Sequence, residues 1–141
     1  MPASRTELAA RLATYDRLVE VGIGRRPEVA AALVDAGCDV TATDVFDAPV
    51  PDGVRFVRDD VVARRDALDG DPPGAPLPDH YRADAVYGLN LPAELQSPAR
   101  DVARAAGADF LFTTLGFEEP AVPVARETVG TETLYVAERR R

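Results

Sequence analysis

The chain has 141 residues, the size of one ordinary globular domain, with 46% hydrophobic and 28% charged residues. That balance excludes a disordered or collagen-like chain, and the length is enough to bury roughly two-thirds of the unfolded surface without disulfides or metal. Sixteen arginines and no lysine stand against 24 acidic residues, a net charge of −8 that argues against non-specific binding to nucleic-acid phosphates.

No stretch approaches the roughly 18 apolar residues of a membrane span, and the first residues lack the apolar segment of a secretory signal. The expectation is a soluble, cytoplasmic protein. Asp outnumbers Glu, 15 to 9, and Ile23 is the single isoleucine. Excess acid, an Asp preference and missing Lys resemble the proteins of salt-loving archaea, although a GC-rich genome also replaces Lys with Arg. Cys38 is the lone cysteine, and no Cys/His cluster has zinc-ligand spacing, so no metal is expected.

In chain order, Ser4-Arg5-Thr6-Glu7 reads as a capping box ahead of a short amphipathic helix over 5–14. Leu18-Val19-Glu20-Val21 reads as a buried strand ending at Gly22. Pro27 fits the first position of a helix that carries Val29, Leu33 and Ala36 on one face and ends at Gly37. Strands follow at 38–43, closed by Asp44, and at 54–57, closed by Arg58-Asp59-Asp60. The Pro- and Gly-rich stretch 66–84 reads as loop, and 85–87 as a fourth strand. Ser97 and Pro98 mark the start of a helix that ends at Gly107, and 110–114 is a fifth strand. Thr128-Val129-Gly130-Thr131 turns a hairpin whose second strand is 133–136. Strands alternating with helices imply right-handed crossovers and a mostly parallel, doubly wound α/β sheet, Rossmann-like, with a C-terminal antiparallel hairpin, in one domain over 1–141.

The chemistry concentrates in Val19-Glu20-Val21-Gly22-Ile23-Gly24, between a strand and a helix. Glycines there let a ligand approach the backbone, and Asp44, about 20 residues on, stands where an acid accepts hydrogen bonds from ribose hydroxyls. A dinucleotide fingerprint wants a third glycine where Pro27 stands. Acidic Glu20, two residues before Gly22, instead resembles the first motif of S-adenosylmethionine-dependent methyltransferases. That resemblance implies that Glu20, Gly22 and Gly24 line the cofactor site, that Asp44 binds ribose, and that Asp59 or Asp60 meets the adenine amino group. Arg26 departs from the motif, since it takes the place of its third glycine. Cations are disfavoured at a helix N-terminus, so Arg25 or Arg26 is expected to pair with a local carboxylate or an anionic ligand.

The run from Val19 to Ala30, together with Asp84-Ala-Val-Tyr-Gly-Leu-Asn-Leu-Pro-Ala-Glu-Leu95, resembles an archaeal family, uncharacterised protein family 0146, over about residues 5–136. The resemblance implies a trimmed, methyltransferase-like Rossmann fold and no established activity. Asn90-Leu91-Pro92-Ala93 keeps the Asn and one Pro of the Asn-Pro-Pro-aromatic stretch of amino-group methyltransferases, which implies a place for Asn90 at the catalytic site beside the acceptor; a plain loop before a helix reads equally well.

Other residues read as structural. His80 reads as a surface histidine and Cys38 as a small apolar filler. Asp66, Asp69 and Asp71 lack the glycine and terminal Glu of a calcium loop. Arg139-Arg140-Arg141 reads as a solubility tail, and Glu118-Glu119 lies at the ligand edge. Two functions stay open. One is a domain that binds S-adenosylmethionine, a nucleotide-like small molecule, and methylates an acceptor. The other is a non-catalytic nucleotide-binding or regulatory module, with a homodimer or protein partner supplying the cover that so short a chain lacks. A nicotinamide-dinucleotide site is a third, weakened by Pro27.

Overall fold

The computed structural model describes residues 3–70 and 76–138; Asp71 and the Arg139–Arg141 tail lie outside the described residues. Leu18, Val19, Glu20 and Val21 are all buried, the pattern of a strand covered on both faces, and they form β1 (Arg17–Val21) at the centre of the sheet. On one side β1 pairs in parallel with β2 (Asp39–Asp44), which pairs with β3 (Arg55–Arg58). On the other side it pairs with β4 (Ala85–Gly88), followed by β5 (Asp109–Phe112), all parallel. The order is completed by the antiparallel hairpin β6 (Val124–Val129) and β7 (Glu132–Ala137), giving β3-β2-β1-β4-β5-β7-β6. The chain thus reverses direction across the sheet between β1 and β4, and ligands of open α/β sheets bind beyond the strand carboxyl ends at that point.

Alternation along the strands divides the core. Leu18, Val40, Ala42, Tyr87 and Leu111 face helices α1 (Ala3–Leu12) and α2 (Glu28–Asp35) with Leu8, Leu12, Val29 and Leu33. Val19, Val21, Val86, Phe110 and Phe112 face the other way, onto α3 (Val61–Ala67) and α4 (Ala93–Ala106). Each fully buried Leu or Phe contributes roughly 1.5–3 kcal/mol, so these two layers dominate stability.

Several expectations need correction. The first helix starts at Ala3, so Ser4 lies inside its first turn, and its hydroxyl meets Thr131 Oγ1 on the hairpin instead of capping the helix. Helix α4 starts at Ala93, so Ser97 and Pro98 sit in its second turn. Pro98 removes only one helical N–H, and buried Gln96 strengthens the start by donating to Leu91 O at 3.0 Å. The end at Gly107 is as expected, with φ +75° and Ala108 N–H bonded back to Ala103 O. Helix α3 had no sequence counterpart; Asp60 caps it by accepting from Val62 N at 2.9 Å and Ala63 N at 3.4 Å. Strand β5 stops at Phe112, before the expected Thr114, because Thr113 turns to the neighbouring loop: its N–H meets Gly88 O and its carbonyl accepts from Leu91 N.

Candidate functional site

The glycine loop leaves the carboxyl end of β1. Gly22 and Gly24 have φ of +72° and +55°, where a side chain costs roughly 1–2 kcal/mol, and a Cβ at either would meet nothing within 4 Å. Glycine is needed here for conformation, and the space beside it is open. The loop is stitched to β2: Gly22 N and Ile23 N both donate to Thr43 O, at 2.9 and 3.1 Å. Asp44 completes the clamp. Its Oδ2 accepts from Gly24 N at 2.8 Å and its Oδ1 from Phe46 N at 3.2 Å, so both oxygens hold backbone while the carboxylate stays partly exposed.

Glu20 lies elsewhere. It is 1% exposed, within the layer that faces α1 and α2, and accepts a 2.6 Å hydrogen bond from the Tyr87 hydroxyl on β4. Burial raises its pKa to about 7, against the smaller opposing effect of that hydrogen bond. Tyr87 is raised for the same reason, desolvation first and then the Glu20 charge.

At the end of β3, Asp59 is built into a polar knot. Its Oδ1 accepts from Arg64 Nε at 2.8 Å and Asp60 N at 2.9 Å, and its Oδ2 lies 2.9 Å from His80 Nε2. Burial alone would raise this carboxyl, but the Arg64 contact leads the opposing interactions and holds it below its ordinary value. His80 is therefore not a surface histidine: its side chain is 11% exposed and its ring rests on Tyr81. Asp60 Oδ1 caps α3, and among the described residues its Oδ2 accepts no hydrogen bond.

Beyond β4, Gly88 lets Leu91 fold back, since a Cβ there would meet Leu91 Cδ1 at 2.9 Å. Asn90 is the one non-glycine residue with positive φ among the described residues, at +50°. Its N–H donates to Thr113 Oγ1 at 2.8 Å. One orientation of its amide satisfies the surroundings: Oδ1 accepts from Arg26 Nη1 at 2.6 Å and the NH₂ donates to Thr114 O at 3.3 Å. Arg26 thereby reaches across from the glycine loop to the β4 loop. The expected local carboxylate partner for Arg25 or Arg26 is absent: neither has one within 4.0 Å among the described residues.

Two hollows flank this bridge. One, of about 400 Å³, is lined by Gly24, Arg25, Asp44 and Phe46; the other, of about 460 Å³, by Asn90, Thr114, Phe117, Glu119 and Tyr135. Gly24, Asp44 and Asn90 are thus brought to one edge; Asp59 adjoins it, its N–H donating to Asp44 O at 2.9 Å while its side chain turns into the knot, and Glu20 is buried below. Sequence reasoning missed the Arg26–Asn90 contact, Thr113 and the exposed Phe46 and Phe117 on the rims, which are 72% and 105% exposed. Phe46 follows Asp44 directly enough that its place beside the site could have been inferred. Glu119 reaches the second hollow as expected and pairs with Arg126 at 3.0 Å.

Among solved structures, the fold is similar to the CcbJ methyltransferase of Streptomyces caelestis, at 19% identity and TM-score 0.55 over 93% of this chain. It is also similar to the S-adenosylmethionine-dependent methyltransferase NGO1261 of Neisseria gonorrhoeae, at 14% identity and TM-score 0.57 over 92% of this chain. This chain spans 57% and 63% of those two proteins. Its fold is the methyltransferase Rossmann-like one, without part of their length. The UPF0146 protein of the halophilic archaeon Halobacterium salinarum is 52% identical over 131 residues, covering 92% of this chain and 93% of the relative. That of Archaeoglobus fulgidus is 38% identical over 99 residues, covering 70% of this chain and 68% of the relative. Residues 4–140 match the family described as Uncharacterised protein family (UPF0146), and the chain belongs to it.

Proposed function

We propose that the crevice at the ends of β1, β2 and β4 binds S-adenosylmethionine and that the chain transfers its methyl group to a small acceptor. The observation that carries this reading is the clamp of Asp44 on Gly24, which holds two positive-φ glycines against open space at the sheet's reversal point. Gly22 and Gly24 admit the ligand close to the backbone. Asp44 retains lone pairs beyond its two backbone contacts to accept from ribose hydroxyls, since a carboxylate offers about four acceptor sites. Exposed Val45 and Phe46 offer apolar surface for the base, and the unpaired Oδ2 of Asp60 an acceptor for its amino group. Glu20 acts from below, fixing β1 against Tyr87. S-adenosylmethionine supplies an already activated methyl group, so positioning is the main demand on the protein, and in this reading Asn90, which lines the second hollow, orients the acceptor.

The second reading is a nucleotide-binding module that works with a partner. It is favoured by the open hollows and the exposed aromatic rims, together with a chain about three-fifths as long as the methyltransferases it resembles. Calorimetric titration in multimolar potassium chloride separates the readings. Binding of S-adenosylmethionine and S-adenosylhomocysteine, weakened at least about tenfold by Asp44→Ala, supports the cofactor site. Binding of NAD alone overturns it. Loss of methyl transfer in Asn90→Ala with cofactor affinity kept supports catalysis over the module.

A further inference from the structure

Nine of the described arginines reach a carboxylate within 4.0 Å, as expected in a chain with 24 acidic residues. Arg58 and Arg104 instead donate to the carbonyls of Val45 and Glu138. Among the described residues the side chains of Arg25 and Arg26 reach neither, and the Arg26 guanidinium meets a neutral amide oxygen, that of Asn90. These two cations also precede the first turn of α2, where the helix dipole opposes them, so they do not serve the helix. Their position explains them better. In the order β2-β1-β4-β5, Arg26 follows β1 and Asn90 follows β4, so the bridge links the loop that lines the Asp44 hollow to a residue that lines the Thr114 hollow.

We infer that the ligand of this crevice carries an anionic group, a carboxylate or a phosphate, which Arg26 receives. Arg25 lines the first hollow beside it. The inference rests on the crevice being the ligand site and adds the charge of what enters it. A planar guanidinium pairs with carboxylate or phosphate through parallel hydrogen bonds, a better match than one amide oxygen. At contact distance no salt ion fits between the partners, so such a pair is screened less than a separated one.

The test is calorimetric titration of the wild-type chain and of Arg26→Gln, in the same salt, with adenosine, S-adenosylhomocysteine, ADP and pyrophosphate. Arg26 is exposed, so the variant is expected to fold, and an unchanged melting temperature checks this. The expected result is that one anionic compound binds the wild type at least about tenfold more tightly than adenosine, and that the gap closes in Arg26→Gln. S-adenosylhomocysteine showing the gap names a carboxylate; ADP showing it names a phosphate. No gap in the wild type, or an equal gap in the variant, overturns the inference. If no adenosine compound binds, the crevice reading fails separately and pyrophosphate decides: binding lost in Arg26→Gln supports the anion site, and no binding to the wild type overturns it.

Discussion

Two corners at the carboxyl edge of the sheet carry acidic residues after a strand, and the structure uses them in opposite ways. At the first, Asp44 accepts from backbone N–H groups alone among the described residues and stays partly exposed, while Glu20 lies buried below against the Tyr87 hydroxyl. At the second, Asp59 is buried against Arg64 and His80, and Asp60 caps a helix. A carboxylate at a strand end that backbone alone holds, with water still reaching it, keeps lone pairs open. Enclosed by the side chains of an arginine and a histidine it becomes architecture.

The two buried carboxylates, one at each corner, should answer acid with opposite signs, and the larger effect belongs to Glu20. Its folded pKa of about 7 lies above the ordinary 4.5, so the folded chain holds a proton that the unfolded chain has already released. Stability from this group is therefore complete below about pH 4.5 and is lost as pH rises through 7. At about 1.4 kcal/mol per unit, the full loss is on the order of 3 kcal/mol. Glu20→Gln, which cannot ionise, is expected to gain on the wild type by that order between pH 5 and pH 8 in denaturant unfolding. Parallel pH profiles for the two proteins would dissolve the contrast.

Asp59 should do the reverse. Its carboxyl is held below the ordinary range, so its contribution is present at neutral pH and disappears as pH falls through the folded pKa. Asp59→Ala strands Arg64 and His80 and removes the acceptor for Asp60 N. With Arg64 partly in water, the expected loss at pH 7 is about 2 kcal/mol, narrowing in acid. Affinity for adenosine ligands should fall less than in Asp44→Ala, because the Asp59 carboxylate faces the knot and meets the crevice only through the Asp59 N–H on Asp44 O and its own bond to Asp60 N. A tenfold loss of affinity with stability kept would make Asp59 a ligand group after all.

The strand–loop–helix path through Gly22 and Gly24 to Asp44 was legible in sequence; the burial of Glu20 below it and the Asp59 knot were not, for a physical reason. Gly22, Gly24 and Asp44 interact through backbone over short spacings that strand and loop impose, so the pattern carries the geometry. Asp59 meets His80, 21 positions further along the sequence, beyond a Pro-rich run that carries no apolar periodicity. The strands, their parallel pairing and the terminal hairpin followed from apolar runs and turn residues. The start of α4 did not, because Ser97-Pro98 has the form of a helix start while Gln96, reaching back to Leu91 O, supports an earlier one. The Arg26–Asn90 bridge joins two loops 64 residues apart, and no local signal announces it.

The smallest stability effect, at Asp44, is the sharpest test of what separates the corners. Asp44 offers different oxygens to Gly24 N and Phe46 N, so Asp44→Asn keeps an acceptor for only one of them and turns an NH₂ toward the other. The site is partly exposed, so water can relieve the unpaired donor, and the expected stability loss is under about 1 kcal/mol. Ligand affinity should fall much further. The same NH₂ replaces an acceptor for ribose hydroxyls, and the loosened Gly24 no longer fixes the loop; a loss of at least about tenfold is expected, close to that of Asp44→Ala. Asp59→Ala is expected to show the opposite ratio, the larger stability loss with the smaller affinity loss. Equal ratios of stability loss to affinity loss at the two positions would mean that the Asp44 clamp, like the Asp59 knot, serves only to hold the fold.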